Sequence, residues 1–215
     1  MSAYLRLSRT LAFLALLACL LPVRATDLRP GPPQRLAGSR PNIVFIMSDD
    51  QGYGELSCHG NPILRTPHLD RLHAQSLRFT QYHVSPTCAP TRSALLTGRH
   101  EFRNGVTHTI FERERLRLDA VTLAEVLRSV GYTTGIFGKW HLAEKPNDVP
   151  LVGEAHARLR VAEGARGGFA HWQGFEGGFQ LNDPWLHGTG IDEPRRFFGY
   201  QSDVVCERAA AWLVS

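Results

Sequence analysis

Two adjacent carboxylates, Asp49 and Asp50, directly follow an apolar, β-rich segment at residues 42–47 and a single serine. That segment predicts a strand buried on both faces, and ligands of open α/β folds bind beyond the carboxyl ends of strands. Neighbouring carboxylates repel each other unless a cation neutralises them, and Ca²⁺ and Mg²⁺ prefer oxygen ligands. The pair therefore predicts a divalent-cation site, or in the plainer alternative a cap and a solvated turn acid.

A cysteine, Cys88, comes shortly before a segment that predicts a short helix over residues 93–97. A side chain ahead of a helix N-terminus faces free N–H groups and the positive end of the dipole, where anions bind. Arg92 adds a fixed cation with a fork suited to an oxyanion. A lone cysteine is by default a buried structural thiol, but Pro90 and Arg92 at this spacing disfavour that interpretation.

Lys139 and His141 lie just beyond a predicted strand at residues 132–137. Being two residues apart, they project in the same direction if the strand pattern continues. Lys139 is one of two lysines among 24 basic residues, which hints that a lysine is needed there. His141 alone would be interpreted as an ordinary surface or core histidine.

These motifs, in this order, closely resemble the sulfatase family. The run from Cys88 to Arg92, followed by the run from Leu96 to Arg99, looks like the nucleophile signature of that family, and residues 131–141 look like its second signature. Residues 41–54 resemble its opening strand and metal loop, and residues 66–72 its next helix. The resemblance is tight over residues 41–145 and loose over 165–215.

The resemblance implies a sulfuric ester hydrolase with an α/β fold, an alkaline-phosphatase-like parallel-sheet sandwich, truncated after its N-terminal part. In such enzymes the cysteine that corresponds to Cys88 is oxidised to Cα-formylglycine, whose hydrate has two hydroxyls. One hydroxyl attacks sulfur and expels the alcohol; the second then loses its proton, so that the aldehyde re-forms and sulfate leaves. Asp49, Asp50 and the modified Cys88 would ligate the metal, for which Ca²⁺ is favoured over Mg²⁺.

The same resemblance assigns the remaining roles. Arg92 would hold the hydrate, Lys139 would pair with a sulfate oxygen or with the hydrate, and His141 would help to deprotonate the second hydroxyl. The implied partners are a sulfated small molecule or glycan as substrate and a formylglycine-generating or equivalent maturation enzyme.

The first 25 residues predict a secretory signal peptide. Arg6 and Arg9 precede an apolar run at residues 11–21 that is short for a membrane span, and export to the periplasm or medium follows. A lipoprotein anchor through Cys19 is the alternative. Without the arginines of this segment the net charge is close to zero, which gives no reason to expect nucleic acid as a partner.

The rest of the chain divides into a disordered linker at residues 26–40 and the N-terminal part of a catalytic domain at 41–215. Helices are predicted to begin at Thr66–Pro67, at a capping box formed by Thr122 and Glu125, and after Ser202, the last over residues 203–214. The glycine-rich stretch 151–200 predicts long loops. The three cysteines after residue 40 allow at most one disulfide.

Two other functions remain open at this point. A related phosphonate or phosphate monoester hydrolase can use a similar site, and a truncated, inactive secreted domain could bind anionic ligands through its arginines. Because the family takes further metal and sulfate ligands from later segments, we expect this chain by itself to have little or no activity.

Overall fold

The computed structural model describes residues 38–178 and 180–215, which fall into two compact units that divide after Arg78. The predicted signal peptide, Cys19 of the alternative lipid anchor and most of the predicted linker lie outside the described residues. Within the described ranges, no helix combines the length and the apolar character that a membrane span requires.

The first unit contains two short 3-10 turns, Tyr53–Glu55 and Ser57–His59, and helix α1, Pro67–Ala74. As predicted, α1 begins with a proline in its first position, which needs no backbone N–H partner there. Thr66 occupies the N-cap, but its hydroxyl donates to Asp70 Oδ1 at 2.9 Å and accepts from Ser57 N at 3.0 Å, and it caps no backbone N–H of α1.

The strand predicted over residues 42–47 is wrong for the described part of the chain: the segment forms no strand. Its side chains are exposed, with Phe45 at 60% and Ile46 at 82% of full accessibility. An apolar, β-branched segment becomes a strand only when a neighbouring strand satisfies its backbone groups, and composition alone does not provide that neighbour.

Along the chain, three helices of the second unit precede its strands, one lies between the first two strands, and one follows the last strand. The capping box is confirmed: Glu125 N donates to Thr122 Oγ1 at 3.2 Å, and Thr122 N donates to Glu125 Oε2 at 2.9 Å. The last helix begins two residues earlier than predicted, with Tyr200 and not Ser202 at its N-cap. The helices are α2 Cys88–Thr97, α3 Glu101–Asn104, α4 Leu123–Ser129, α5 Glu154–Ala157 and α6 Gln201–Leu213, with 3-10 turns at Phe111–Glu114 and Glu163–Ala165.

The predicted α/β class is confirmed, by a four-stranded sheet of order β1-β2-β3-β4. Its strands are β1 Gly135–Lys139, β2 His171–Phe175, β3 Trp185–Gly188 and β4 Ile191–Arg196. Within this sheet β1 and β2 pair in parallel, and β3 and β4 are added antiparallel. The strand predicted at 132–137 lies a few residues later, and the prediction of loops over 151–200 is wrong because three strands lie there.

Two glycines inside the sheet explain why that stretch resembles a loop in sequence. A Cβ on Gly174 would lie 2.2 Å from the carbonyl oxygen of Gly138, and one on Gly188 would lie 1.9 Å from that of Trp172. Gly188 also has a φ of 120°. These glycines therefore permit a close approach of backbones inside the sheet.

The core of the second unit connects the start of α2 to the end of β1. Ala89, Trp140, Leu142 and Trp172 belong to one buried apolar cluster. Because Ala89 follows the first residue of α2 and Trp140 follows the last residue of β1, this packing brings the two candidate signatures together.

Candidate active site

Cys88 and His141 are in direct contact. Cys88 is the first residue of α2, and its Sγ lies 3.1 Å from Nδ1 of His141. The helix begins earlier than the predicted 93–97, so that Cys88 stands in its first turn and not before it. Proline is tolerated there, which is why Pro90 does not delay the start of the helix.

The position of His141 follows from the pairing of β1 with β2. Beyond β1 the pairing continues, with Trp140 N donating to Phe175 O at 2.8 Å and His141 N donating to Glu176 O at 3.0 Å. His141 then adopts a φ of 57°, in the left-handed region that non-glycine residues rarely occupy. Such backbone strain is concentrated at functional sites, and here it takes the chain out of the strand beside α2.

The two side chains favour the charged form of each other. Burial on its own raises the pKa of the Cys88 thiol, but the hydrogen bond with His141 and the positive charges of His141 and Lys139 lower it on balance. Burial on its own lowers the pKa of His141, but its hydrogen bonds to Cys88 and Glu114 raise it on balance. The arrangement therefore favours a thiolate paired with an imidazolium.

A buried acid on the far side of His141 was missed by the sequence analysis. Nε2 of His141 lies 3.3 Å from the carbonyl oxygen of Thr109, which can only accept, and 3.4 Å from Oε2 of Glu114. Oε2 of Glu114 is also 2.5 Å from Nζ of Lys145, and both of these side chains are almost fully buried. Nε2 is thereby held as a donor, which leaves Nδ1 to face Cys88.

Arg92 and Lys139 are placed in the same cluster. Arg92 is buried, and its Nη1 donates to the backbone carbonyl of Lys139 at 2.6 Å. The positive charge of Lys139 helps to lower the pKa of the Cys88 thiol. The second unit thus brings together Cys88, Arg92, Lys139 and His141.

Asp49 and Asp50 belong to the first unit. Both side chains are exposed, and Asp50 has a φ of 53°. A left-handed residue turns the chain sharply after Asp49, and carboxylate oxygens are the donors that hard cations prefer. The two residues can therefore offer oxygen ligands to a divalent cation.

Glu176, the residue after β2, is a second buried acid. Its Oε1 accepts a hydrogen bond from Ala143 N at 3.2 Å. Burial raises its pKa to about 7, although the charges of His141 and Lys145 act in the opposite direction. Near neutral pH this carboxyl is therefore partly protonated in the folded protein.

We expect Glu176→Gln to change how stability depends on pH. Between the ordinary pKa near 4.5 and about 7 the folded protein keeps a proton that the unfolded chain releases, so the wild type loses stability as pH rises through this range. The variant lacks that loss, and its free energy of unfolding relative to wild type should rise by at most about 3 kcal/mol. Urea unfolding at pH 5 and pH 7.5 measures this, with the exposed Glu144→Gln as control. Parallel pH curves for Glu176→Gln and wild type would contradict the assignment.

An open cleft lies along the segment that carries Thr109. It has a volume of about 430 Å³ and is lined by His108, Ile110, Glu112, Arg113 and Asn147. Its two basic side chains could contact an anionic ligand.

Comparison with known proteins identifies a family that this chain matches. The profile of the family described as Sulfatase matches residues 41–213. Bovine arylsulfatase A is 52% identical over 114 residues, which cover 51% of this chain and 22% of that protein. Rat steryl-sulfatase is 41% identical over 139 residues, covering 58% of this chain and 23% of that protein. The chain thus spans about a fifth of the length of these relatives.

Solved structures agree with the sequence relatives. A protein solved in complex with its substrate, D-glucosamine-2-N,6-O-disulfate, matches with a TM-score of 0.64 and 28% identity, over 82% of this chain and 31% of that one. The yidJ protein of Bacteroides fragilis matches with a TM-score of 0.62 and 30% identity, over 75% and 37% of the two chains. With the family profile covering most of its residues, the chain belongs to the sulfatase family.

Proposed function

We propose that the chain carries the nucleophile part of a sulfuric ester hydrolase, arylsulfatase-like, that uses a formylglycine derived from Cys88 and a divalent cation. The observation that carries the proposal is the contact between Cys88 Sγ and His141 Nδ1 at 3.1 Å, with Arg92 and Lys139 in the same cluster. Activity is proposed for the whole natural polypeptide in which this chain occurs.

The residues present fit the two groups that the family uses. Asp49 and Asp50 offer the hard oxygen donors that suit Ca²⁺, which when bound would supply positive charge to the reacting oxygens. Cys88 is half-buried at the first turn of a helix, so its side chain can meet both a maturation enzyme and a substrate. Conversion of its –CH2SH group to an aldehyde takes one oxygen atom from water, releases the sulfur as sulfide and passes two electrons to an acceptor supplied by the maturation enzyme. The product would supply a renewable oxygen nucleophile.

The chain's own side chains have distinct tasks in this proposal. His141 can accept or donate a proton at Nδ1, the atom that faces residue 88, while Nε2 stays bound to Thr109 O and near Glu114. The guanidinium of Arg92 places a fixed charge between α2 and the end of β1. Lys139 adds a second positive charge that can stabilise a sulfate oxygen.

The substrate class that we propose is a sulfate ester of a small molecule or glycan. The relatives are named for aryl and steryl sulfates, and one solved relative holds a doubly sulfated glucosamine. The cleft beside Thr109 presents His108 and Arg113 together with Glu112, and its basic side chains could contact a sulfate group. We also propose that the protein is exported, on the strength of its first 25 residues.

Mass spectrometry of the peptide that contains Cys88 tests the proposal. In protein recovered from the exported fraction of its natural host, the peptide should have the mass of an aldehyde at residue 88 and should react with a hydrazide. The peptide with Cys206 is the internal control and should keep its thiol. Full retention of the Cys88 thiol would contradict the proposed mechanism.

A substrate comparison separates the sulfatase from its closest alternative. The purified whole polypeptide that carries this chain should hydrolyse an aryl sulfate faster than the matching phosphate or phosphonate monoester. The reverse order would favour the phosphonate or phosphate hydrolase, and retention on heparin without any turnover would favour the binding domain.

Asp49→Asn tests the cation site. Loss of one charged ligand should weaken Ca²⁺ binding by about tenfold or more, measured by calorimetry, and exhaustive EDTA should abolish hydrolysis. Asp192→Asn on β4 removes a different exposed carboxylate and should leave Ca²⁺ binding unchanged. Activity that survives EDTA would contradict the assignment of Asp49 and Asp50.

A further inference from the structure

The first unit contains three potential metal ligands that the sulfatase reaction does not use. Cys58 and His59 lie on the second 3-10 turn, and His73 lies in the last turn of α1. The Cys58 Sγ and one ring nitrogen of each histidine lie within 4.8 Å of one another. All three side chains are half-buried, so their ligand atoms form a shallow site that an ion can reach from solvent.

The ring of His59 is already oriented in the way that metal-bound histidines are. Its Nδ1 lies 2.7 Å from the carbonyl oxygen of Tyr53, and since a carbonyl only accepts, Nδ1 must donate. That leaves Nε2 of neutral His59 with a lone pair. Metal-bound histidines almost always donate their other ring N–H to a carbonyl or carboxylate in this way. The ring also stacks on Tyr53 at 4.6 Å, which fixes its plane.

A carboxylate holds the turn against α1. Asp70 accepts from Ser57 Oγ at 2.5 Å, from Cys58 N at 2.9 Å and from Thr66 Oγ1 at 2.9 Å. These three hydrogen bonds join the 3-10 turn and the N-cap of α1 to a side chain of α1. Cys58 and His73 are thus kept near each other by contacts that need no metal. Binding of a metal therefore costs less conformational entropy than it would in a flexible segment.

The local charge favours a cation at the thiol. Cys58 N donates to Asp70 Oδ1 at 2.9 Å, so an acidic side chain lies beside the proposed thiol ligand. A divalent cation would release the thiol proton and take its place beside the carboxylate, as metal binding to cysteine generally does.

We propose that Cys58, His59 and His73 bind a divalent transition-metal ion of the Zn²⁺ class and that the bound ion clips the Ser57–His59 turn to α1. One sulfur and two imidazole nitrogens suit Zn²⁺, or Co²⁺ as its probe, and do not suit Ca²⁺ or Mg²⁺. Three protein ligands leave the fourth tetrahedral position to water. The proposed site uses neither Asp49 nor Asp50 as a ligand.

Titration of the full chain with Zn²⁺ and with Co²⁺ tests the proposal. The background is Cys88→Ala, because the Cys88–His141 pair could bind the same metals. On that background calorimetry should show one equivalent of Zn²⁺, and Co²⁺ should give a thiolate charge-transfer absorption band. Cys58→Ser and His73→Gln should each lower Zn²⁺ affinity by more than the roughly 10–100-fold that loss of an outer-shell partner costs. Ca²⁺ should not compete.

The matched controls are Cys206→Ser and His68→Gln. Cys206 is an exposed thiol on α6, and His68 is an exposed histidine on α1; neither change should alter the titration. Should Cys58→Ser fail to fold, His73→Gln, at a half-exposed position, decides the question. Unchanged Zn²⁺ affinity in His73→Gln, or a Co²⁺ spectrum without a sulfur ligand, would overturn the proposal. Because every arm lacks Cys88, the outcome is independent of the hydrolase assignment.

Discussion

Replacing Cys88 with alanine should lower kcat/KM for an aryl sulfate by about 10⁴-fold or more, the size of effect seen when a covalent nucleophile is removed. The loss arises because residue 88 would no longer offer an atom that can attack sulfur. The assay uses the whole natural polypeptide that carries this chain. Folding should survive, because His141 remains bound to Thr109 O and its backbone N–H remains bound to Glu176 O.

Two further variants serve as controls for the Cys88→Ala result. Cys206→Ala removes an exposed thiol on α6 and should leave turnover unchanged. Cys88→Ser keeps a hydroxyl but cannot form a hydrated carbonyl, so it should allow at most a single sulfated turnover. Wild-type activity in Cys88→Ala would contradict the assignment of the nucleophile.

Replacing Lys145 with methionine should lower the free energy of unfolding by about 3–5 kcal/mol, because it leaves the Glu114 carboxylate buried without its cation. Nζ and Oε2 are 2.5 Å apart, and the two side chains are only 7% and 2% exposed. His141, 3.4 Å from the same oxygen, offers partial compensation, which favours the lower end of that range. Urea unfolding, followed by the fluorescence of the buried Trp140 and Trp172, measures the change.

The chain offers a matched control for burial. Arg117 Nη2 and Asp119 Oδ2 are also 2.5 Å apart, but these side chains are 73% and 68% exposed. Arg117→Met should therefore leave the free energy of unfolding almost unchanged, because solvent screens an exposed pair. Adding Glu114→Gln to Lys145→Met should restore much of the lost stability, since no unpaired charge remains. Equal costs for the buried and the exposed pair would contradict the role given to burial.

Local signals were predicted well from the sequence. The Thr122–Glu125 capping box and the proline at the start of α1 act through neighbours three residues apart or fewer, so the sequence alone reveals them. The strands at 171–196 were missed because their glycines, Gly174 and Gly188, are indistinguishable in sequence from loop glycines. What distinguishes them is a carbonyl from a distant residue.

The residues of the candidate site also fall into two groups, those in local motifs and those that depend on distant contacts. Cys88, Arg92, Lys139 and His141 stand in short motifs, so the sequence singles them out as candidates, and the structure brings them together. Glu114, Lys145 and Glu176 were missed, because charged residues are normally exposed and their burial depends on contacts with residues about 30 positions away. For Lys145 the composition offers one signal, since it is the other lysine in a chain whose basic residues are otherwise arginines.

The bare apolar segment at residues 42–47 bears on how the protein is handled in the laboratory. It has no charge and no proline, and Phe45 and Ile46 are largely in water. Segments of this kind pair edge to edge with copies of themselves and seed insoluble aggregates. Preparations of the chain should therefore become turbid in a concentration-dependent way, and one lysine placed among these residues should delay it.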